Sequence, residues 1–137
     1  MNPTITYKSN VKISADQFID VLKRSTLAER RPIHDRVRIE SMLLHGNILV
    51  TAWAGELLVG VSRALSDFAF CCYLSDLAVD ENYQHQGIGK QLIQETHLVS
   101  GLNTTLILLA APKAANYYPK IGMDRFTDCF LIRRKDP

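Results

Sequence analysis

Residues 77–90 read as the end of an apolar strand, a short polar loop and the glycine-punctuated start of a helix: Leu77-Ala78-Val79-Asp80-Glu81-Asn82-Tyr83-Gln84-His85-Gln86-Gly87-Ile88-Gly89-Lys90. From Gly87 to Ser100 the apolar positions fall at helical spacing, with Ile88, Leu92, Ile93, Thr96 and Val99 on one face and Lys90, Gln91, Gln94 and Glu95 on the other. Gly101 ends that helix, and residues 105–111 follow as a continuous apolar strand of the kind buried on both faces. A strand, a crossover helix and a second strand make one parallel step, which commits the chain to an α/β arrangement.

The other elements are read around this step. Residues 5–11 look like an edge strand. Ser14 and Gln17 form a capping-box signature, Ile13 is placed to staple onto Phe18, and the first helix is expected to run to about Lys23 with Phe18, Val21 and Leu22 inward. A second helix starts after Pro32 with Asp35 as its cap, presents Val37, Ile39, Met42 and Leu43, and ends at His45-Gly46. Residues 48–53 and 57–65 flank Ala54-Gly55-Glu56, a hairpin signal, and residues 69–79 complete an antiparallel meander. After residues 105–111 come a short helical segment over 114–121, limited by Pro119, and a last strand over 123–133. The expected order is β-α-α-β-β-β-α-β-α-β. This is an α/β fold of the α+β type, with a mixed, mostly antiparallel central sheet flanked by helices. No repeat or linker divides residues 1–137, which are read as a single domain.

Composition removes several function classes. With 47% hydrophobic and 22% charged residues, the chain has the makeup of a globular domain rather than a disordered one. Its longest strongly apolar run, Leu106 to Ala111, is far short of the roughly 20 residues that cross a bilayer, so no membrane partner is expected. No basic stretch leading into an apolar one opens the sequence, and cytoplasm is the expected location. Three cysteines make no disulfide framework; the neighbours Cys71 and Cys72, and Cys129 in the alternating stretch 126–132, are read as small core residues. The formal charge of +2 is too small to make the whole surface attractive to polyanions. Locally, Lys23, Arg24, Arg30, Arg31, Arg36 and Arg38 cluster against Glu29 and Asp35. Without interleaved aromatics the cluster does not read as a nucleic-acid surface. A solvated face paired to Glu29, Asp35 and Glu40 is the favoured reading, and recognition of an anionic substrate is the alternative. His34, His45, His85 and His97 show no ligand spacing, so no metal is expected.

Gly87 and Gly89 stand at the mouth of the central helix, where unpaired N–H groups at the positive end of the macrodipole favour an anion, phosphate above all. A dinucleotide fingerprint needs a further glycine where Leu92 stands, and a mononucleotide P-loop needs glycine at Gln84 and Ser or Thr at Gln91. Both nucleotide patterns therefore fail. A tight turn that holds no ligand is the plain alternative.

What remains is Gln84-His85-Gln86-Gly87-Ile88-Gly89 directly after Leu77-Ala78-Val79, together with Ala114-Ala115-Asn116-Tyr117-Tyr118-Pro119-Lys120-Ile121-Gly122-Met123. In these segments the chain resembles the GNAT N-acetyltransferase superfamily, whose pyrophosphate loop carries Arg or Gln, two free positions, Gly, one free position, then Gly or Ala. The resemblance implies an acyltransferase that moves an acetyl group from acetyl-CoA to a primary amine of a small molecule or peptide. It implies direct attack in a ternary complex, without a metal. It also implies that Leu77, Ala78 and Val79 offer a strand edge to the pantetheine arm, and that Gln84, His85, Gln86, Gly87, Ile88, Gly89 and Lys90 cradle the pyrophosphate. A main-chain donor near Leu77 and Ala78 would hold the developing oxyanion. Tyr118 matches the family's proton donor to the leaving thiolate, with packing of the short helix as its structural alternative. Asp76, chosen over Asp67 and Tyr73, is the expected general base, with a bulge or backbone-capping role as the alternative. Ala111 stands where many members carry a coenzyme-contacting Asn, while Asn116 lies two residues before Tyr118. A coenzyme-binding sensor or interaction module of the same fold is the competing function, and a homodimer is compatible with either.

Overall fold

The structure is a computed structural model that describes residues 4–135. Its elements are β1 (Ile5–Lys8), α1 (Ala15–Arg24), α2 (Arg36–His45), β2 (Ile48–Ala54), β3 (Leu57–Ser66), β4 (Cys71–Val79), α3 (Ile88–Ser100), β5 (Thr105–Leu108) and α4 (Tyr117–Lys120), with 3₁₀ turns at Leu27–Arg30, Glu81–Tyr83 and Pro112–Ala114. Local chemistry sets the boundaries. The Ser14 hydroxyl accepts from the Gln17 amide at 3.1 Å and the Gln17 side chain accepts from the Ser14 amide at 2.9 Å, so the capping box forms as read. Asp35 caps α2 through the Arg38 amide at 3.1 Å. Gly55, at φ +60°, supplies the left-handed residue of the β2–β3 turn. Pro119 falls in the first turn of α4, where its missing donor breaks no helical bond.

The strands lie in sequence order, β1 to β5, antiparallel except for the β4–β5 pair. α3 covers one face of the sheet and buries Ile88 and Leu92 against Val50, Val59 and Leu74. Gly60 permits this close approach, since a Cβ there would stand 3.1 Å from the Leu92 side chain. The buried hydroxyls of Ser62 and Thr96 bond to each other at 2.7 Å, so each is partnered beneath the helix. On the opposite face, Phe18, Val21 and Leu22 of α1 and Ile39 of α2 pack on Trp53, Val61 and Ala78.

Several expectations are corrected. No strand forms over 123–133; among the described residues neither helix nor strand follows Lys120. Phe126, Phe130 and Ile132 are exposed there, because a period-two pattern supplies side chains for a strand but no partner backbone. β5 is accordingly the sheet edge; it ends at Leu108 and exposes Ile107 instead of burying both faces. The first strand stops at Lys8, and the third strand of the meander begins at Cys71 rather than residue 69. Val37 and Val99 face solvent, and of the three cysteines only Cys72 is in the core.

Two stability predictions follow from this packing. Phe18 has no exposed surface, so Phe18→Ala is expected to cost about 3–5 kcal/mol, read as a lower urea midpoint with an unchanged slope. Asp67 accepts from the amides of Phe70, Ala69 and Cys71 at 2.7, 2.9 and 3.0 Å in the β3–β4 turn. These bonds, Phe70's foremost, hold its carboxyl at about 2, below the ordinary 3.8. Because the folded value is depressed, the stability carried by ionised Asp67 is present above about pH 4 and drains away toward pH 2. Asp67→Asn should flatten that limb of a melting-temperature profile against pH; an unaltered limb contradicts the assignment.

Candidate active site

The site begins where two neighbouring strands part. β4 and β5 are paired only from Cys71↔Thr105 to Leu74↔Leu108, whereas β4 continues to Val79. At the parting, Ser75 is an extra residue in the β3–β4 ladder: Arg63 pairs with Asp76 and Ala64 with Leu74. The insertion exchanges the faces of the strand. Before it, Cys72 and Leu74 pack on the α3 side; after it, Leu77 and Val79 do so, and Ala78 packs on the α1 side. Between the diverging strands opens a cavity of about 820 Å³, bounded by the end of β4, the start of α3, the two tyrosines of α4 and the Leu27–Arg30 turn. That volume suits a large organic ligand.

α3 opens into this cavity without a side-chain cap. Gly87 is its N-cap at φ +81°, a left-handed conformation that glycine adopts freely, and the first helical bond runs from the Gln91 amide to the Gly87 carbonyl. The amides of the first turn are therefore left for other acceptors. The Tyr117 hydroxyl lies beside the Lys90 backbone at this helix start. A Cβ at Gly89 would stand 3.0 Å from the same hydroxyl, so glycine is what admits Tyr117 to the helix mouth. His85, at φ +64°, and Lys90 also line the cavity. Gln84 lines it too, but its side-chain amide donates to the Val79 carbonyl at 3.0 Å. Ile88 is buried in the core, where its side chain anchors the helix and only its main chain faces the opening. Gln86 is exposed and is not among the cavity-lining residues. Uncapped amides at a positive helix end, flanked by Lys90, form a donor set that fits a diphosphate.

The free edge of β4 has an uneven supply of partners. The Asp80 amide turns toward β3, where it donates to the Val59 carbonyl at 2.8 Å. Alternation along the strand sends the main-chain groups of Val79, Leu77 and Ser75 the other way, into the gap. There Gln84 occupies the Val79 carbonyl and an Arg31 Nη2 donor occupies that of Ser75 at 2.8 Å. Leu77, half-buried and lining the cavity, lies between those two occupied carbonyls.

Asp76 lies on the other side of the bulge. It has no exposed surface, is absent from the cavity lining, and is clasped by the Nε donors of Arg31 and Arg63. Arg63 also reaches the Ser75 hydroxyl and the Met42 carbonyl, each at 3.2 Å. Asp67 caps the β3–β4 turn, and Tyr73 lies on the exposed part of the sheet. Tyr117 and Tyr118 both line the cavity, edge to face with ring centres 5.3 Å apart. Burial foremost, and then the neighbouring Tyr117, push the Tyr118 phenol above its ordinary pKa and keep it a proton donor.

The basic cluster is largely spent on pairing. Arg24 binds Asp80, Asp20 and the Leu58 carbonyl, and Arg36 binds Asp16 and Glu40. Glu29 faces Lys113 at 3.7 Å rather than an arginine. Arg63 went unassigned in the sequence reading, Arg31 was read only as a member of the basic cluster, and Tyr117 only as part of the tyrosine motif. Arg31 and Asp76 are 45 positions apart, and only the fold brings them together. Asp76→Asn is expected to leave two arginines facing an uncharged, buried amide and to cost about 3–5 kcal/mol by urea unfolding. A loss below about 1 kcal/mol would contradict this placement.

The acetyltransferase (GNAT) domain family matches residues 45–122. A protein of Pyropia yezoensis described as the uncharacterized N-acetyltransferase ycf52 is 34% identical over 132 residues, which are 87% of this chain and 73% of that protein. Its namesake from Gracilaria tenuistipitata var. liui is 24% identical over 123 residues, 82% of this chain. The chain spans only 66% of the Gracilaria protein's length. A solved GNAT-family acetyltransferase from Streptococcus pneumoniae TIGR4, SP0256, has the same fold, with a TM-score of 0.72 at 21% identity over 97% of this chain and 98% of that one. A family match over more than half its length, ending just past α4 and enclosing both the parted strands and the uncapped helix, means that this chain belongs to the GNAT acetyltransferase superfamily.

Proposed function

We propose that the chain transfers an acetyl group from acetyl-CoA to a primary amine of a small molecule or peptide. The observation that carries this reading is the meeting, in one cavity, of the uncapped start of α3 and the unpartnered edge of β4. The first supports a diphosphate and the second an amide-bearing arm laid alongside it as an added strand. Acetyl-CoA supplies both, and brings an activated thioester. In this reading the first-turn amides of α3 and Lys90 hold the diphosphate, and His85 closes the loop beside it. The Leu77 amide, unclaimed between two occupied carbonyls, holds the charge that develops on the thioester oxygen as the amine attacks. Tyr118 gives its proton to the departing thiolate.

The proton released by the amine needs another acceptor than Asp76, whose carboxylate is already committed to two arginines. Among the described carboxylates, Glu29 and Glu81 line the cavity and take that role, directly or through water. Asp76 instead holds the Arg31 side chain, and with it the end of the Leu27–Arg30 turn, against the bulge.

The decisive test is acetyl-CoA titration followed by thiol release across polyamines, amino acids, aminoglycosides, arylamines and peptide N-termini. Acetylation of at least one class is expected. Thermal stabilisation by the coenzyme with no thiol release to any amine would assign the cavity to coenzyme sensing. Gly87→Trp should abolish measurable coenzyme affinity, since bulk at the helix mouth blocks the diphosphate. Tyr118→Phe is expected to lower kcat by about 100-fold with coenzyme affinity retained; full turnover would remove Tyr118 from the mechanism.

A further inference from the structure

Arg30 stands on the cavity wall with its charge unspent. Arg24, Arg31 and Arg36 of the same basic cluster are bound to carboxylates. The guanidinium of Arg30 is exposed, lines the cavity, and has no hydrogen bond or ion pair among the described residues. Its surroundings add to that charge. Arg31 and Ser75 line the same cavity, and behind them two guanidiniums clasp the single buried carboxylate of Asp76, so that cluster keeps one positive charge uncompensated. The cavity's own carboxylates do not cancel the excess beside Arg30: Glu29 faces Lys113 at 3.7 Å, and Glu81 lies past the end of β4, on the turn that runs into the loop at Gln84 to Lys90. Thr26, which opens the Leu27–Arg30 turn, is held at φ +73°, an outlying conformation for a β-branched residue. Such strain persists only where the surroundings enforce it. Here it redirects the chain at the end of α1, so that the turn and Arg31 run along the cavity. The Thr26 hydroxyl caps nothing and also lines the cavity.

Resting on the reading that this cavity carries out acetyl transfer, we propose that its acceptor is a carboxylate-bearing amine, an amino acid in the simplest case, and that Arg30 selects it by holding the carboxylate, with the Thr26 hydroxyl as a further donor. A free guanidinium matches a carboxylate as a two-pronged donor. A phosphomonoester would fit the same fork but would bring a second negative charge toward Glu29 and Glu81. The uncompensated charge behind Arg31 acts in the same sense. It disfavours the ammonium form of a bound amine, and the amine must be neutral to attack. It also opposes acceptors that carry several positive charges, such as polyamines and aminoglycosides.

Thiol release from acetyl-CoA is measured with leucine, phenylalanine and serine, each beside its carboxamide and its decarboxylated amine, with phosphoethanolamine and spermidine as the phosphate and polycation arms. For at least one amino acid, kcat/KM counted per unprotonated amine is expected to exceed that of its amide and its amine by about 10- to 100-fold. Arg30→Gln should remove most of that preference by raising KM for the acid, and Arg30→Lys should restore part of it. Arg36→Gln, which alters a paired arginine outside the cavity, should leave it intact. Amides or spermidine used as well as the acids, phosphoethanolamine favoured over every amino acid, or a preference indifferent to Arg30→Gln would each overturn the proposal with acetyl transfer left standing. If no amine releases thiol, acetyl transfer itself falls, and calorimetric titration of the CoA-loaded chain decides the recognition. Binding of an amino acid but not of its amide, lost in Arg30→Gln, upholds the proposal; equal binding, or none, overturns it.

Discussion

At Ser75 one residue too many enters β4, and everything that makes this fold a site depends on how that excess is held. A bulge bends its strand and sharpens the local twist. Here it lies next to the last residues shared by β4 and β5, so the bend carries the two strands apart. Two arginines keep the irregularity in place. Arg63 takes the Ser75 hydroxyl and Arg31 its carbonyl, while both neutralise the buried Asp76 beside it. A carboxylate this deep is tolerable only because it is doubly paired and its oxygens are bonded. The ion cluster therefore joins the Leu27–Arg30 turn, the end of α2 and two strands at one point on the rim of the cavity.

From that parting follow both halves of the cavity's chemistry. A strand that has lost its neighbour presents main-chain groups to whatever enters, and Arg31 and Gln84 have already filled the outer two carbonyls. The selectivity that remains is spatial. The helix start, Leu77 and the phenol of Tyr118 surround one space, so a ligand that satisfies the amides of α3 has its far end directed along β4. The tail beyond Arg125 has no part in this cavity.

The candidate site was legible in part. The loop at Gln84 to Lys90 stood out because its two glycines mark an uncapped helix start, and the tyrosine pair stood out because its motif is local. What each residue does there was less visible. Gln84 and Ile88 belong to the loop yet spend their side chains on Val79 and the core. Asp76 looked free because a sequence does not display Arg31 and Arg63 at its two oxygens. Tyr117 was read only as part of the tyrosine motif, but its hydroxyl sits at the mouth of α3, a meeting of segments well apart in the chain.

Local signals determined most of the elements by themselves: the Ser14 and Gln17 capping box, Asp35, the Gly55 turn and the helical spacing after Gly87 act over a few residues, and each works wherever the chain goes. The order of strands and the single parallel step follow from those elements, because short links allow few alternatives. Tertiary structure decided the rest. The bulge, the arginine clasp and the face exchange along β4 depend on which strand is a neighbour, and that is settled only when the sheet assembles. The clearest case is the tail: its alternation suits a strand, but a strand exists only against a second backbone, and among the described residues the tail pairs with none.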